Sequence, residues 1–243
     1  MLTPRSGKVQ LKWKFEKGST LRYECTRSTE RRNRQQTELF GLKLVITDVK
    51  DGVASLQVTI DQADDSKAAA VGKSFEMKLK ETGEVVEVKG LKDLQEFGDD
   101  EMKKLLDAAF PRLPKDAVAE GGIWKTENTL SIHMLSDVSA KSMSKVTRIQ
   151  GEAVDFQTKT KLEVGKGQGH MEIWDAGAES KGAWDAEGGR LKEYTTEIKI
   201  TVEAHGQALE MLVTTSLKWA PNKGQQKDVK PEDPKRSDKH HDK

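Results

Sequence analysis

Along most of this chain, apolar and polar residues change places at every step. In LQVTI, Leu56, Val58 and Ile60 fall on one side of an extended backbone, and in SFEMKLK, Phe75, Met77 and Leu79 do the same. The Thr-rich run EYTTEIKITVEA sustains the pattern, with Ile198, Ile200 and Val202 on one face and charges opposite. Such strands bury one face and wet the other, as antiparallel sheets do. Turn signals separate the runs: Asp51-Gly52, Thr82-Gly83-Glu84, Gly151-Glu152 and Gly188-Gly189. Counting runs between such signals predicts about ten strands in one large curved antiparallel sheet, a mainly β fold of half-barrel type.

One stretch breaks the rhythm. Met102, Leu105, Leu106, Ala109 and Phe110 recur at helical spacing, and Asp99 is placed to cap the segment with Asp100 and Glu101 in its first turn. Pro111 stops it, because the proline ring disfavours helix at the residue before it. A shorter helix over Leu91, Leu94 and Phe97 is expected ahead of it, so about 92–110 reads as helical cover for one face of the sheet. The following PRLP and Gly121-Gly122 read as a connector into a second set of strands.

That second set resembles the first. VITDVKDGVASLQVTI (45–60) aligns without gaps on KVTRIQGEAVDFQTKT (145–160), an offset of 100, with Thr47 on Thr147, Val49 on Ile149 and Gln57 on Gln157. The expected organisation is a single β-rich domain over 1–220, made of pseudo-repeats at about 11–90 and 125–219. A charged tail, 221–243, holds three of the six prolines and one aliphatic residue, Val229. Such a segment cannot bury enough apolar area to offset its ordering entropy, and it is expected to be disordered.

Charge narrows the partners. Forty-one Lys and Arg face forty Asp and Glu over 243 residues, so the run Arg22, Arg27, Arg31, Arg32, Arg34 is a solvated strand face with acids interleaved. A duplex-binding protein needs a basic excess, which is missing. The one cysteine, Cys25, excludes an intrachain disulfide and a Cys-built metal cage. No apolar run reaches the roughly 18 residues of a membrane span. The abrupt start MLTPRSGK shows no leader, which leaves two expectations: periplasm or cell envelope if a leader was removed, cytoplasm otherwise.

Chemistry is sparse. There is no G-x-S-x-G elbow, and His133, His170 and His205 stand in separate contexts. Asp48, Asp51, Asp61, Asp64 and Asp65 sit near turns without Ca-loop spacing. Gly165, Gly167 and Gly169 lead into a strand-like run rather than the helix a phosphate loop requires. The five tryptophans, Trp13, Trp124, Trp174, Trp184 and Trp219, read as core, with Trp13 and Trp219 placed to close the sheet on itself. No catalytic, metal or cofactor residue is expected.

The opening LKWKFEKGSTLRYE (11–24), the DGVASLQVTI hairpin, GEVVEVKGL (83–91) and FPRLPKDAVAEGGIW (110–124) together resemble a family of uncharacterised, β-rich exported proteins found mostly in planctomycetes and related bacteria. These motifs are structural punctuation and imply export without a known activity. More distantly, a curved sheet plugged by helices is similar to the lipoprotein-carrier folds of the bacterial envelope, an analogy of fold alone.

Three functions follow. The first expectation is a non-enzymatic envelope or assembly-associated protein acting through protein contacts. The alternative is a carrier holding a lipid or other apolar ligand in the concave face, against Val58, Ile60, Met77, Leu79, Ile198 and Ile200 beneath Leu105, Leu106 and Phe110. A third reading is an enzyme whose site, around His133 or His170 and a turn Asp, carries no recognisable motif.

Overall fold

The computed structural model describes residues 7–31, 34–91, 106, 109–132, 135–163, 171–204 and 207–221; for 129–132, 135–137, 171–174, 204 and 207 it describes the main chain only. The expected first helix, most of the second, the three histidines outside the tail, the Gly165–Gly169 loop and the tail beyond 221 lie outside these residues.

Eleven strands form one open sheet. They are β1 (Thr20–Arg31), β2 (Arg34–Lys50), β3 (Val53–Ala63), β4 (Ser74–Lys80), β5 (Val85–Lys89), β6 (Ile123–Ile132), β7 (Leu135–Gln150), β8 (Ala153–Glu163), β9 (Met171–Asp185), β10 (Arg190–Ala204) and β11 (Gln207–Trp219). The spatial order is β5-β4-β3-β2-β1-β11-β10-β9-β8-β7-β6, and every pairing is antiparallel. Sequential strands are therefore neighbours except β5 and β6, and the one non-sequential pairing, β1 with β11, joins the two ends of the chain in the middle of the sheet. The outermost strands, β5 and β6, are consecutive in sequence, so the connector through FPRLP links the two edges.

Alternation translates directly into burial. On β4, Phe75, Met77 and Leu79 are enclosed while Glu76 and Lys78 face water. On β3, Ala54, Leu56, Val58 and Ile60 are buried in the same way. Asp51 and Gly52 both take positive φ, as a type I′ hairpin demands.

The offset of 100 holds in register as well as in sequence. Leu42 pairs Ile60, Leu44 pairs Val58, Ile46 pairs Leu56, and a bulge at Thr47 follows. Ser142 pairs Thr160, Ser144 pairs Thr158, Val146 pairs Phe156, and the bulge falls at Thr147.

An open sheet must still cover its concave face. Residues 7–19, which alternate like a strand, join no strand ladder and instead cross one end of the sheet as a strap. Its amides bond to turns, connector and β2: Val9 N to Val118 O (2.7 Å), Trp13 N to Glu81 O (2.9 Å), Lys14 N to Gly189 O (2.9 Å) and Gly18 N to Ile46 O (2.8 Å). At Gly189 a Cβ would collide with Lys14, so the β9–β10 turn can press on the strap only as glycine. The strap aims Trp13 inward, edge-to-face on Trp184 (5.1 Å between centroids, 89°) and against Tyr23 and Phe110. Leu106 and Ala109, both helical and buried, join Phe110 and Leu113 in the same core.

Trp13→Ala should cost about 3–5 kcal/mol, because the cavity opens where strap, connector and both parts of the sheet meet. Urea unfolding followed by circular dichroism and by Trp184 fluorescence should show one coincident transition moved to lower urea. A loss below about 1 kcal/mol would mean the strap is not what holds the sheet curved.

Alkaline pH gives a second test. Burial pushes the Cys25 thiol up to about 12, opposed by the Arg27 charge, and burial also raises Tyr23 above the ordinary tyrosine value. The unfolded chain ionises first, so this stability is complete below about pH 9 and is lost as pH rises through the folded values. Unfolding free energy should be level from pH 7 to about 9 and fall above it, and Cys25→Ala should flatten the first part of that fall.

Candidate functional site

Two apolar zones line the concave face. The larger core fills the strap end and contains Val58, Ile60, Met77, Leu79, Leu106 and Phe110. The smaller, toward the other end of the later strands, holds Val138, Ala140, Leu162, Ala176 and Ile200, with Ile198, Val202 and Met211 packed on it.

Between them runs a belt of hydroxyls. Ser144 Oγ lies 2.8 Å from Thr158 Oγ1, Ser142 Oγ 2.8 Å from Thr160 Oγ1, and Ser180 Oγ 3.0 Å from Thr196 Oγ1. The Tyr194 hydroxyl sits beside those of Ser180, Thr196 and Thr158. Burial raises Tyr194 above the ordinary tyrosine value, and interaction with these hydroxyls opposes the rise. The phenol is neutral at physiological pH.

Local sequence explains the arrangement. On β7 and β8 the inward phase reads Val138, Ala140, Ser142, Ser144, Val146 and Val154, Phe156, Thr158, Thr160, Leu162, while Lys141, Lys145, Lys159 and Lys161 take the outward phase. Gly182 is the in-register partner of both Phe156 and Tyr194. A Cβ there would overlap the Phe156 ring, so its absence lets the two rings stack across β9 with centroids 6.1 Å apart.

The equivalent positions of the first hairpin show what is unusual. Leu42, Leu44, Val58 and Ile60 are packed core, and at an offset of 100 they become Ser142, Ser144, Thr158 and Thr160. An apolar quartet has a hydroxyl quartet as its counterpart on the same backbone register. Buried hydroxyls are costly unless bonded, and here they bond to one another.

The belt lines a cavity of about 60 Å³, on a scale where one water needs roughly 10–15 Å³. The cavity is a cleft partly open to solvent. Its wall also includes Phe110, Arg112, Thr126, Asn128, Leu162 and Ile198. The connector is fixed beside it, since Trp124 Nε1 donates to the Arg112 carbonyl at 2.9 Å. Arg112 supplies the wall's one formal charge, and the Glu84 carboxylate, held low chiefly by its hydrogen bond with Lys80, also feels the Arg112 charge.

The residues expected to form one ligand face are thus divided. Phe110 and Ile198 line the cleft, and Ile200 belongs to the apolar cluster beside it. Val58, Ile60, Met77, Leu79 and Leu106 are at most 1% exposed within the packed core, and Leu105 lies outside the described residues. The belt itself went unread, although hydroxyls alternating with lysines in an apolar phase signal it.

The turn aspartates behave as turn chemistry. Asp64 caps the 3₁₀ turn Asp65–Ala70 and accepts from Ser66 N and Leu39 N, while Asp61 pairs with Arg22 at 2.9 Å. Among the described residues no group of His, Cys, Asp or Glu could hold a metal.

No protein-family model and no curated protein matches the chain. Among solved structures, the sheet is similar to part of lipovitellin, solved in work on lipid–protein interactions in that protein, with a TM-score of 0.62 at 9% identity. The match covers 86% of this chain and 26% of that one, so the chain spans about a quarter of lipovitellin's length. At that identity the likeness shows the fold alone. A DUF1329 family protein from Desulfovibrio piger (TM-score 0.26, 10% identity, 82% and 85% of the two chains) and an outer membrane lipoprotein-sorting protein domain from Vibrio parahaemolyticus (0.21, 10%, 86% and 89%) also match, at scores too low to add to the fold.

The paired hydroxyls make a clear energetic prediction. Thr158→Val alone should destabilise by about 1–3 kcal/mol, because Ser144 loses a buried partner. Adding Ser144→Ala should recover part of that loss, giving a coupling of about 1 kcal/mol in a double-mutant cycle. Strictly additive effects would show that the belt is not a bonded unit.

Proposed function

We propose that the protein is a non-enzymatic carrier that takes an amphiphilic or apolar ligand into the cleft lined by β6 to β10. One observation carries the reading: where the first hairpin is packed with Leu and Val, its counterpart holds hydroxyls around an open cavity. Hydroxyls in place of methyls sacrifice stability, and a polar lining beside an apolar wall suits a ligand with both characters. The lipovitellin likeness supports this, since that structure was solved in work on lipid–protein interactions.

The carrier reading has more behind it than action through protein contacts. Large exposed apolar side chains among the described residues are Val49, Val71, Val86, Ile123 and Met143; Ile123 and Met143 lie diagonally across β6 and β7, and the other three are on separate elements. An envelope setting and descent by internal duplication belong to the same proposal. The first follows the resemblance of the sequence motifs to exported proteins, and the second is supported by the shared bulge and register of the two hairpins.

Uptake of Nile red, a neutral apolar dye, tests the carrier function. Wild-type protein should enhance its fluorescence saturably. Ala178→Trp should weaken binding by at least about tenfold by filling the cleft, while Lys145→Glu on the outer surface should leave it unchanged. Absence of dye uptake, together with no lipid recovered by organic extraction from the natively purified protein, would rule the carrier out.

A further inference from the structure

The sheet has two outer edges, and they are finished differently. β5 is five residues long, and its one acid, Glu87, is already held by Lys78 (2.8 Å) and Lys89 (2.7 Å). Short length and satisfied charge keep an edge from pairing with another chain. β6 runs for ten residues without a proline, and among the described residues no main-chain bond reaches it from the side away from β7. Trp124 is buried, so the outward phase of this strand is Ile123, Lys125 and Glu127, all exposed. Glu127 has Lys141 as its in-register partner on β7, but Lys125 has Met143, so no acid lies directly across from it. Ile123 and Met143, at 56% and 48% exposure, put two apolar neighbours on the outer face at this same edge.

Two copies of β6 laid antiparallel about a twofold axis have few ways to pair. A slip of one residue sets the outward row of one copy against the inward row of the other. Among the registers that match faces, centring on Lys125 sets that lysine against itself, and centring on Glu127 does the same for the acid. Centring on Thr126 sets Lys125 of each copy opposite Glu127 of the other, twice over by symmetry. Registers further out leave both charges without an opposite. The Thr126 ladder extends from 123 to 129, and the irregularity between Leu130 and Ile132 falls just outside it. Glu127 then lies between Lys141 of its own copy and Lys125 of the second copy, much as Glu87 lies between Lys78 and Lys89 on the far edge.

We infer that β6 is the interface of a homodimer, in which two copies pair edge to edge about Thr126 as one continuous antiparallel sheet. The ladder supplies the affinity, and the charges choose the register, since exposed ion pairs add little energy. Residues paired in this way share a face, so both concave faces lie on the same side. Thr126 and Asn128, which line the cleft, then meet Thr126 and Trp124 of the second copy, and the two clefts adjoin at the axis. The inference goes beyond the carrier reading and does not depend on it.

Sedimentation velocity of the full-length protein should show monomer giving way to dimer as concentration rises into the high micromolar range, since one added ladder is a small interface. Lys125→Glu and Glu127→Lys each place like charges at both crossings and should weaken self-association at least about tenfold. Mixed in equal amounts, the two variants should form a heterodimer within about threefold of the wild-type affinity, because each supplies the charge the other lacks. Recovery on mixing also shows that both variants are folded. Thr126→Cys gives a second reading, with one thiol from each copy at the axis. A short bismaleimide should link two copies of that variant and leave the wild type, whose Cys25 is buried, unlinked. A wild type that stays monomeric at every concentration overturns the inference, and so does a dimer that neither charge variant weakens. Weakened variants that do not recover on mixing, or a Thr126→Cys protein that does not link, overturn the pairing about Thr126 and the inference with it. None of these outcomes touches the carrier reading, which Nile red uptake tests separately.

Discussion

Everything in this fold depends on Trp13 being held against Trp184. An open sheet of eleven strands has no closing hydrogen bonds between β5 and β6, and its concave face would otherwise lie in water. The strap solves this by bonding to turns belonging to separate parts of the sheet, at Glu81 and Gly189, and to the connector at Val118. It delivers the indole to the point where Tyr23, Phe110 and Trp184 converge. The arrangement has a cost, since the indole N–H groups of Trp13 and Trp184 are buried without a hydrogen-bond acceptor. That the rings stay buried implies that their packing outweighs two unmet donors, each worth on the order of 1–3 kcal/mol.

With one end closed, the two similar hairpins are free to differ. The first fills its interior with Leu42, Leu44, Val58 and Ile60, and these make contact with the strap core. The second keeps the fold's register but exchanges those side chains for hydroxyls that bond in pairs across the strands. Thr for Val keeps the volume but adds a hydroxyl, which its cross-strand partner satisfies, whereas Ser for Leu removes volume outright. The missing volume is the cavity. Gly182 extends it by letting Phe156 and Tyr194 lie flat across β9 instead of standing into the space.

Much of this was legible in the sequence, and what was not has physical causes. Phase-2 alternation identified the burial of Phe75, Met77 and Leu79 because each alternate residue on that strand is charged or polar. The strap was harder, since Leu11, Trp13 and Phe15 alternate like any strand. Only the positions of its partners, the turns at Glu81 and Gly189, distinguish it. Pairing of β1 with β11 joins residues nearly 200 positions apart, and no local pattern encodes a contact of that span. The belt was hidden for a different reason. Its residues count as polar when hydrophobicity is tallied, so Thr158 and Thr160 read as gaps in an apolar face, when the informative comparison was with Val58 and Ile60.

The order of zones along the concave face then has a mechanical consequence. From the strap outward, β7 and β8 run from aromatic core through hydroxyls to a second apolar cluster. A surface that is apolar at both ends and polar in the middle cannot collapse into one packed core without burying unpaired hydroxyls, and it cannot be fully wet without exposing Leu162, Ile198 and Ile200. Pairing the hydroxyls internally settles the first conflict, and the open cleft leaves the second unsettled. Beyond the belt, Leu162 and Ile200 are buried at 5% and 2% exposure, and Ile198 is the half-buried side chain that faces the cleft. The cleft lies where the sequence changes from apolar side chains that fill the core to hydroxyls that do not.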